Sequence, residues 1–203
     1  MKRFLKKANR GILLGAFALI SLIIYIVVDY VSFSNEKTQI KETVENYIGG
    51  VYEALEQDDY EALNEHIKAL WTGEPVITTG YFEDKESMLT LYEHIQADKP
   101  TSEYGEITYS IEEMSIKKSG PNMACVTVSF STSMENGCNA NLVEPFCSYT
   151  SCWFYTEEEN DARYIYDVEY EGSIYLRKED GEWKIAQSDV WSFDCMQYMK
   201  EGE

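Results

Sequence analysis

"EGSIYLRKEDGEWKIAQSDVW", residues 171 to 191, decides the fold. Two runs rich in β-branched and aromatic residues flank Asp180-Gly181, a dipeptide suited to a tight hairpin turn whose central residues take positive φ. An unbroken hairpin then sets Leu176 against Ile185, Ile174 against Gln187, Gly172 against Asp189, Tyr170 against Trp191 and Val168 against Phe193. That face is apolar except for Gln187 and Asp189, whereas Glu169, Glu171, Ser173, Arg177, Lys184 and Ser188 on the other can meet water. An acid on the apolar face is the anomaly, and Gly172 opposite it leaves room, as a cavity wall requires. Tyr170, Gly172, Ile174, Gln187, Asp189 and Trp191 are therefore the candidate pocket-lining residues. On the outward side Tyr175, Ala186 and Val190 interrupt the polar pattern, which points to a protein or peptide partner, or to a homodimer.

Upstream of the hairpin the same period of two runs through "ITYSIEEMSIKK", "MACVTVSFSTS", "CWFYTEE" and "RYIYDVEY". Before Ile107 the period is helical. Ile40, Val44, Tyr47, Ile48, Val51, Tyr52 and Leu55 recur over four turns; Tyr60, Leu63, Ile67 and Leu70 share a face behind Asp58 and Asp59; Met88, Leu91, Tyr92 and Ile95 follow Asp84 as a cap. Helices first and strands later predict an α+β domain, its helices on one face of a curved antiparallel sheet.

The chain's beginning sets its compartment. "GILLGAFALISLIIYIVV", Gly11 to Val28, holds no charge and as a helix spans ~27 Å, close to the hydrocarbon thickness of a bilayer. Its Leu, Ile, Val and Phe residues favour insertion by about 4 to 7 kcal/mol before the other positions are counted. Lys2, Arg3, Lys6, Lys7 and Arg10 precede it, so the positive-inside rule holds them in the cytoplasm and sends the rest across. The expected organisation is a basic stub (1–10), a transmembrane helix (11–30) and an extracytoplasmic domain (31–203) at the cell membrane. A cleaved signal peptide ending near Ser32-Phe33-Ser34 is the competing reading, and the length of the apolar run argues for retention.

The formal net charge is -19, and since those five cations are the only charges before Asp29, the remainder carries -24. Such a surface repels phosphate backbones, so nucleic acid is excluded as a partner of the main domain. Of the five cysteines, Cys138 and Cys147 bracket a ten-residue loop that a disulfide would close, and Cys152 with Cys195 is the second candidate pair. Cys125 reads as packed within its strand. No metal site and no cofactor are expected: the spacings are not those of a zinc site, "EEENDA" (157–162) lacks the alternation of a calcium loop, and the Met-bearing tail around Cys195 reads as packing.

The helices followed by long strands ending in "YLRKEDGEWKIAQSDV" resemble the nuclear transport factor 2-like (SnoaL-like, cystatin-like) superfamily, over about residues 36 to 193. The resemblance implies a cone-shaped fold with a pocket at its mouth, into which Gln187 and Asp189 would look beside Tyr170 and Trp191. Enzymes of that superfamily use pocket Asp, His and Tyr groups as acids and bases. Here His66 and His94 sit on helices beside charged positions, so no partner for Asp189 is evident. The expected function is a membrane-anchored, non-catalytic binding or scaffold domain for a peptide, wall component or membrane protein. Its order of parts is similar to scaffold subunits of type IV secretion and conjugation assemblies. The alternative is a SnoaL-like isomerase or cyclase with Asp189 as general base.

Overall fold

The computed structural model describes residues 10–74, 76, 82–97, 104–137, 145–146 and 163–199. It divides into two units, 1–38 and 39–203. Helix α1 runs Arg10–Glu56, α2 Tyr60–Leu70 and α3 Lys85–Ala97; strands follow as β1 Tyr104–Gly120, β2 Met123–Gly137, β3 Arg163–Glu179 and β4 Glu182–Met199. The expected strand "CWFYTEE" lies outside the described residues, as do Cys138, Cys147, Cys152 and "EEENDA".

In the first unit the apolar run is helical and long and apolar enough to cross a membrane, its side chains exposed. The stretch "DYVSFSNEK", expected as a connector, is helical too. Neither Gly nor Pro interrupts it, and Ser32 Oγ donates to Glu36 Oε1 at 3.0 Å, one turn on.

In the second unit all the apolar positions expected to face inward on α1, from Ile40 to Leu55, are buried. Asp59 caps α2, its carboxylate accepting from Ala62 N at 2.9 Å. Asp84 and Ser87 cap α3 reciprocally: Ser87 N donates to Asp84 Oδ1 at 2.9 Å and Asp84 N to Ser87 Oγ at 2.7 Å.

The strands form one antiparallel meander in chain order. At the β3–β4 turn Asp180 and Gly181 have φ of 50° and 93°, and pairing runs as expected as far as Leu176–Ile185. There β4 carries an extra residue, Ala186, and the partners become Tyr175–Gln187, Ile174–Ser188, Ser173–Asp189, Gly172–Val190 and Glu171–Trp191. This bulge corrects the expected register and exchanges the two faces of β4. Ser188 and Val190, expected to face water, are buried with Ile174, and Asp189 and Trp191 are exposed.

A second shift at Phe193 sets Glu169 directly against Asp194, while Glu179 faces Glu182 beside the turn. The other edge of β4 receives the chain between α2 and α3: Thr72 N donates to Ile185 O at 2.8 Å, and Glu83 and Ser188 exchange both backbone hydrogen bonds at 2.8 and 2.9 Å. The expected partner of Cys195, Cys152, lies outside the described residues; Cys195 itself is half-buried opposite Val168 in mid-strand, and Cys125 is half-buried on β2.

Candidate active site

The bulge redistributes the hairpin's candidate residues. Tyr170 and Ile174 are fully buried on the inner face, with Tyr170 stacked on Phe130 at 4.8 Å between centroids. Gly172 does not border a cavity: a Cβ there would lie 2.0 Å from the Asp189 carbonyl oxygen, so the glycine allows two backbones to approach. Gln187 belongs to the outer face, where the chain before α3 covers it and Val76 N donates to its Oε1 at 2.9 Å. Asp189 stands on that face beside Ser173 and near Tyr175, whose hydroxyl is pushed up by burial, by Cys125 and by the Asp189 charge. Trp191 is exposed next to Phe193.

The inner face gathers a different set. The backbone bridge to Ser188 carries Glu83 inward, where only 2% of it is accessible. Trp71, at the C-terminal cap of α2, is buried with its ring 5.5 Å from Tyr47. From α1, Tyr47 and Tyr52 reach toward the sheet, and the Tyr52 hydroxyl bonds Thr132 Oγ1 on β2. From α3, the Tyr92 hydroxyl donates to the carbonyl of Pro145 at 2.8 Å. Phe146, next in the chain, fills the centre: its ring lies 5.3 Å from Tyr52 and from Phe130, 5.6 Å from Tyr47 and 5.7 Å from Tyr170. All four contacts are edge-to-face, the arrangement favoured by ring quadrupoles.

Tyr92 is wholly buried, and its hydroxyl is held well above the ordinary 10.0 by burial first, then by Tyr47, Tyr52 and the Glu83 charge. Because the folded chain holds this proton more tightly than the unfolded one, the associated stability is intact below about pH 10 and is lost as pH rises beyond it. Urea denaturation across the alkaline range should show that fall, and Tyr92→Phe should make it shallower. A chain whose stability drops equally in the variant would assign the effect elsewhere.

Two further atoms bear on the chemistry. Trp71 Nε1 and Ser188 Oγ are buried, and neither has a hydrogen-bond partner among the described residues. Leaving such a group unpaired costs about 1–3 kcal/mol. His66 and His94 stay outside this interior. His66 Nε2 lies 3.0 Å from Asn46 O and borders a surface groove of about 880 Å³ that also holds Glu42, Glu45, Glu53 and Glu56. Among the described residues no three His, Cys, Asp or Glu side chains are grouped to hold a metal ion.

Glu83, Trp71 and Phe146 were not among the candidates read from the sequence, and Tyr92 was read only as part of an apolar stripe. The cap at Asp84 was a partial signal, since it places Glu83 at the entry to α3 against the body of the domain.

No protein-family model matches the chain, and no curated protein matches it in sequence. Among solved structures it is similar to nuclear transport factor 2-like and SnoaL-like proteins. One is a hexachlorocyclohexane dehydrochlorinase at 9% identity and TM-score 0.49, covering 81% of this chain and 93% of that one. A second dehydrochlorinase, from Novosphingobium barchaimii, stands at 10% and 0.48, covering 81% and 94%. A ketosteroid isomerase-like protein from Erwinia carotovora atroseptica stands at 16% and 0.44, covering 78% and 97%. The two dehydrochlorinases are named as enzymes, whereas the sequence led to the expectation of a non-catalytic scaffold domain. At such identities the likeness concerns the fold, and the chemistry has to be argued from the residues.

Proposed function

We propose that the chain is an acid–base enzyme that isomerises or dehydrates a carbonyl compound, with Glu83 as base and Tyr92 as the hydroxyl that steadies the enolate. The observation that carries this reading is the burial of both groups in one aromatic interior, close enough for the Glu83 charge to raise the Tyr92 hydroxyl. The Glu83 carboxylate takes a proton from the carbon next to the carbonyl; the C–H electron pair becomes a C=C bond and the C=O π pair moves onto the oxygen, which accepts a hydrogen bond from Tyr92. Where a second C=C bond is conjugated with this enolate, protonated Glu83 returns the proton at its far end, giving the double-bond isomer. Otherwise it protonates a hydroxyl that leaves as water while the pair closes a C=C bond. Aromatic walls strengthen both interactions by excluding water. Tyr92 keeps its proton through the neutral range, as a tyrosine of ordinary pKa 10.0 already does, and burial extends this to more alkaline pH.

The base is Glu83 rather than Asp189 because Asp189 is exposed on the opposite face of the sheet. The test is α-proton exchange: ketones incubated with the protein in heavy water and followed by proton NMR should lose their α-proton signals. Glu83→Gln and Tyr92→Phe should slow that loss and Asp189→Asn should leave it unchanged. Exchange that survives Glu83→Gln undiminished would remove the proposal.

We also propose that the apolar part of α1 anchors the protein in a membrane as a single pass, with Met1 to Arg10 in the cytoplasm and the second unit outside. The apolar run and the one-sided cluster of cations support this. Protease added to intact cells should digest the second unit, and its survival until lysis would reverse the orientation.

A further inference from the structure

The interior is already occupied by a piece of the chain that carries the groups a substrate would need. Pro145 presents a carbonyl to the Tyr92 hydroxyl at 2.8 Å. Only a nitrogen, a Cα and a Cβ separate that carbonyl from the ring of Phe146, which four aromatic side chains surround edge to face. Pro145 and Phe146 belong to neither a helix nor a strand; they come from the connection between β2 and β3, and both are buried. Trp71, whose ring meets Tyr47, and Ser188, which is bridged to Glu83, keep buried polar atoms without hydrogen-bond partners among the described residues. A well-packed core ordinarily satisfies such atoms. Trp71 adjoins this interior through Tyr47 and Ser188 through Glu83, and their unmet polar atoms suit a group that the Pro145-Phe146 pair does not supply.

We propose that Pro145-Phe146 is an internal stand-in for substrate, and that the site takes carbonyl compounds bearing a single benzene ring a short alkyl chain away from the carbonyl. The ligand's ring replaces Phe146 among Tyr47, Tyr52, Phe130 and Tyr170, and its carbonyl takes over the Tyr92 hydrogen bond from Pro145. An additional acceptor on the ligand, such as a hydroxyl, meets Trp71 Nε1 or Ser188 Oγ. This rests on the acid–base reading for the purpose of the site, and it adds the chemical class of ligand and the segment that competes with it.

The test uses the full chain in detergent with 4-fluorophenylalanine at position 146, titrated with benzylacetone and its next higher homologue. The fluorine signal should move from a buried to a solvent-exposed position at saturation, and an aliphatic methyl ketone of equal length should leave it in place. Phe146→Ala, which removes the competitor, should bind benzylacetone about tenfold more tightly, and Tyr92→Phe about tenfold more weakly. Should Phe146→Ala not fold, Phe146→Leu carries the same comparison. A fluorine signal that stays buried at saturation overturns the proposal. So does a Phe146→Ala chain that takes toluene as readily as the ketone, since that behaviour belongs to any apolar cavity. Displacement of the ring without α-proton exchange would sustain this proposal and remove the acid–base reading. Exchange without displacement would do the reverse.

Discussion

Gly172→Ala should destabilise the second unit by at least the 1–3 kcal/mol typical of overpacked sites, and every feature of its surroundings pushes toward the upper end. The added Cβ would lie 2.0 Å from the Asp189 carbonyl oxygen and 2.6 Å from the Val190 Cα. Both are backbone atoms, so no side-chain rotation relieves the contact. Relief requires β3 and β4 to separate where Gly172 pairs with Val190, within the longest hairpin of the sheet. Against a total stability of about 5–15 kcal/mol, such a loss leaves a measurable unfolded fraction. Gly73→Ala is the control, because a Cβ there meets nothing within 4 Å. Urea denaturation of both variants decides the matter, and equal midpoints would show that the strands yield freely.

Glu83→Gln should slow α-proton exchange by about 10²–10⁴-fold, the range a positioned general base contributes. The amide keeps the size of the carboxyl, and the bridge to Ser188 is made by backbone atoms that the substitution does not touch. The fold should therefore survive while the reaction loses its proton acceptor. Tyr92→Phe should cost about 10²-fold or more if its hydroxyl steadies the developing oxyanion, as removal of one such donor does elsewhere. The two losses need not add, because the groups act on one transition state. A Glu83→Gln chain that is inactive and also unfolded would place the residue in the architecture rather than in the chemistry. Circular dichroism of the same sample separates those cases.

How far the sequence could be read depended on whether the signal was local. The caps at Asp59 and Asp84, the Asp180-Gly181 turn and the inward stripes of the helices all rest on neighbouring residues, and each is found as read save that Leu70, at the end of α2, is only half-buried. The bulge at Ala186 is different. "WKIAQSDVW" contains no glycine or proline to announce an extra residue, and two phases of alternation compete within it. One sets Ile185, Gln187 and Asp189 on a common face. The other joins Ile185 to Ser188 and Val190 through a shift, and the burial of Val190 with the inner face selects it. Tertiary packing makes that choice, and a single strand's pattern cannot.

The candidate site was hidden for the same reason. Glu83 is an acid among acids until its backbone pairs with Ser188, more than a hundred positions along the chain. Phe146 lies in a Cys-bearing loop whose apolar residues carry no periodicity, so nothing in its neighbourhood directs it to the centre of the domain. Tyr92 was legible as buried. Its hydroxyl acquired meaning only from the carbonyl it meets.

The pairing of Glu169 with Asp194, and of Glu179 with Glu182, makes the domain a responder to electrolyte. Carboxylates directly opposite across a ladder repel each other, and the exposed surface adds to this with its excess of like charge. Dissolved salt shortens the reach of that repulsion to about 10 Å at 0.1 M and about 3 Å at 1 M. The urea midpoint should therefore climb as sodium chloride is added, and dilution into fresh water is the condition under which the sheet first comes apart.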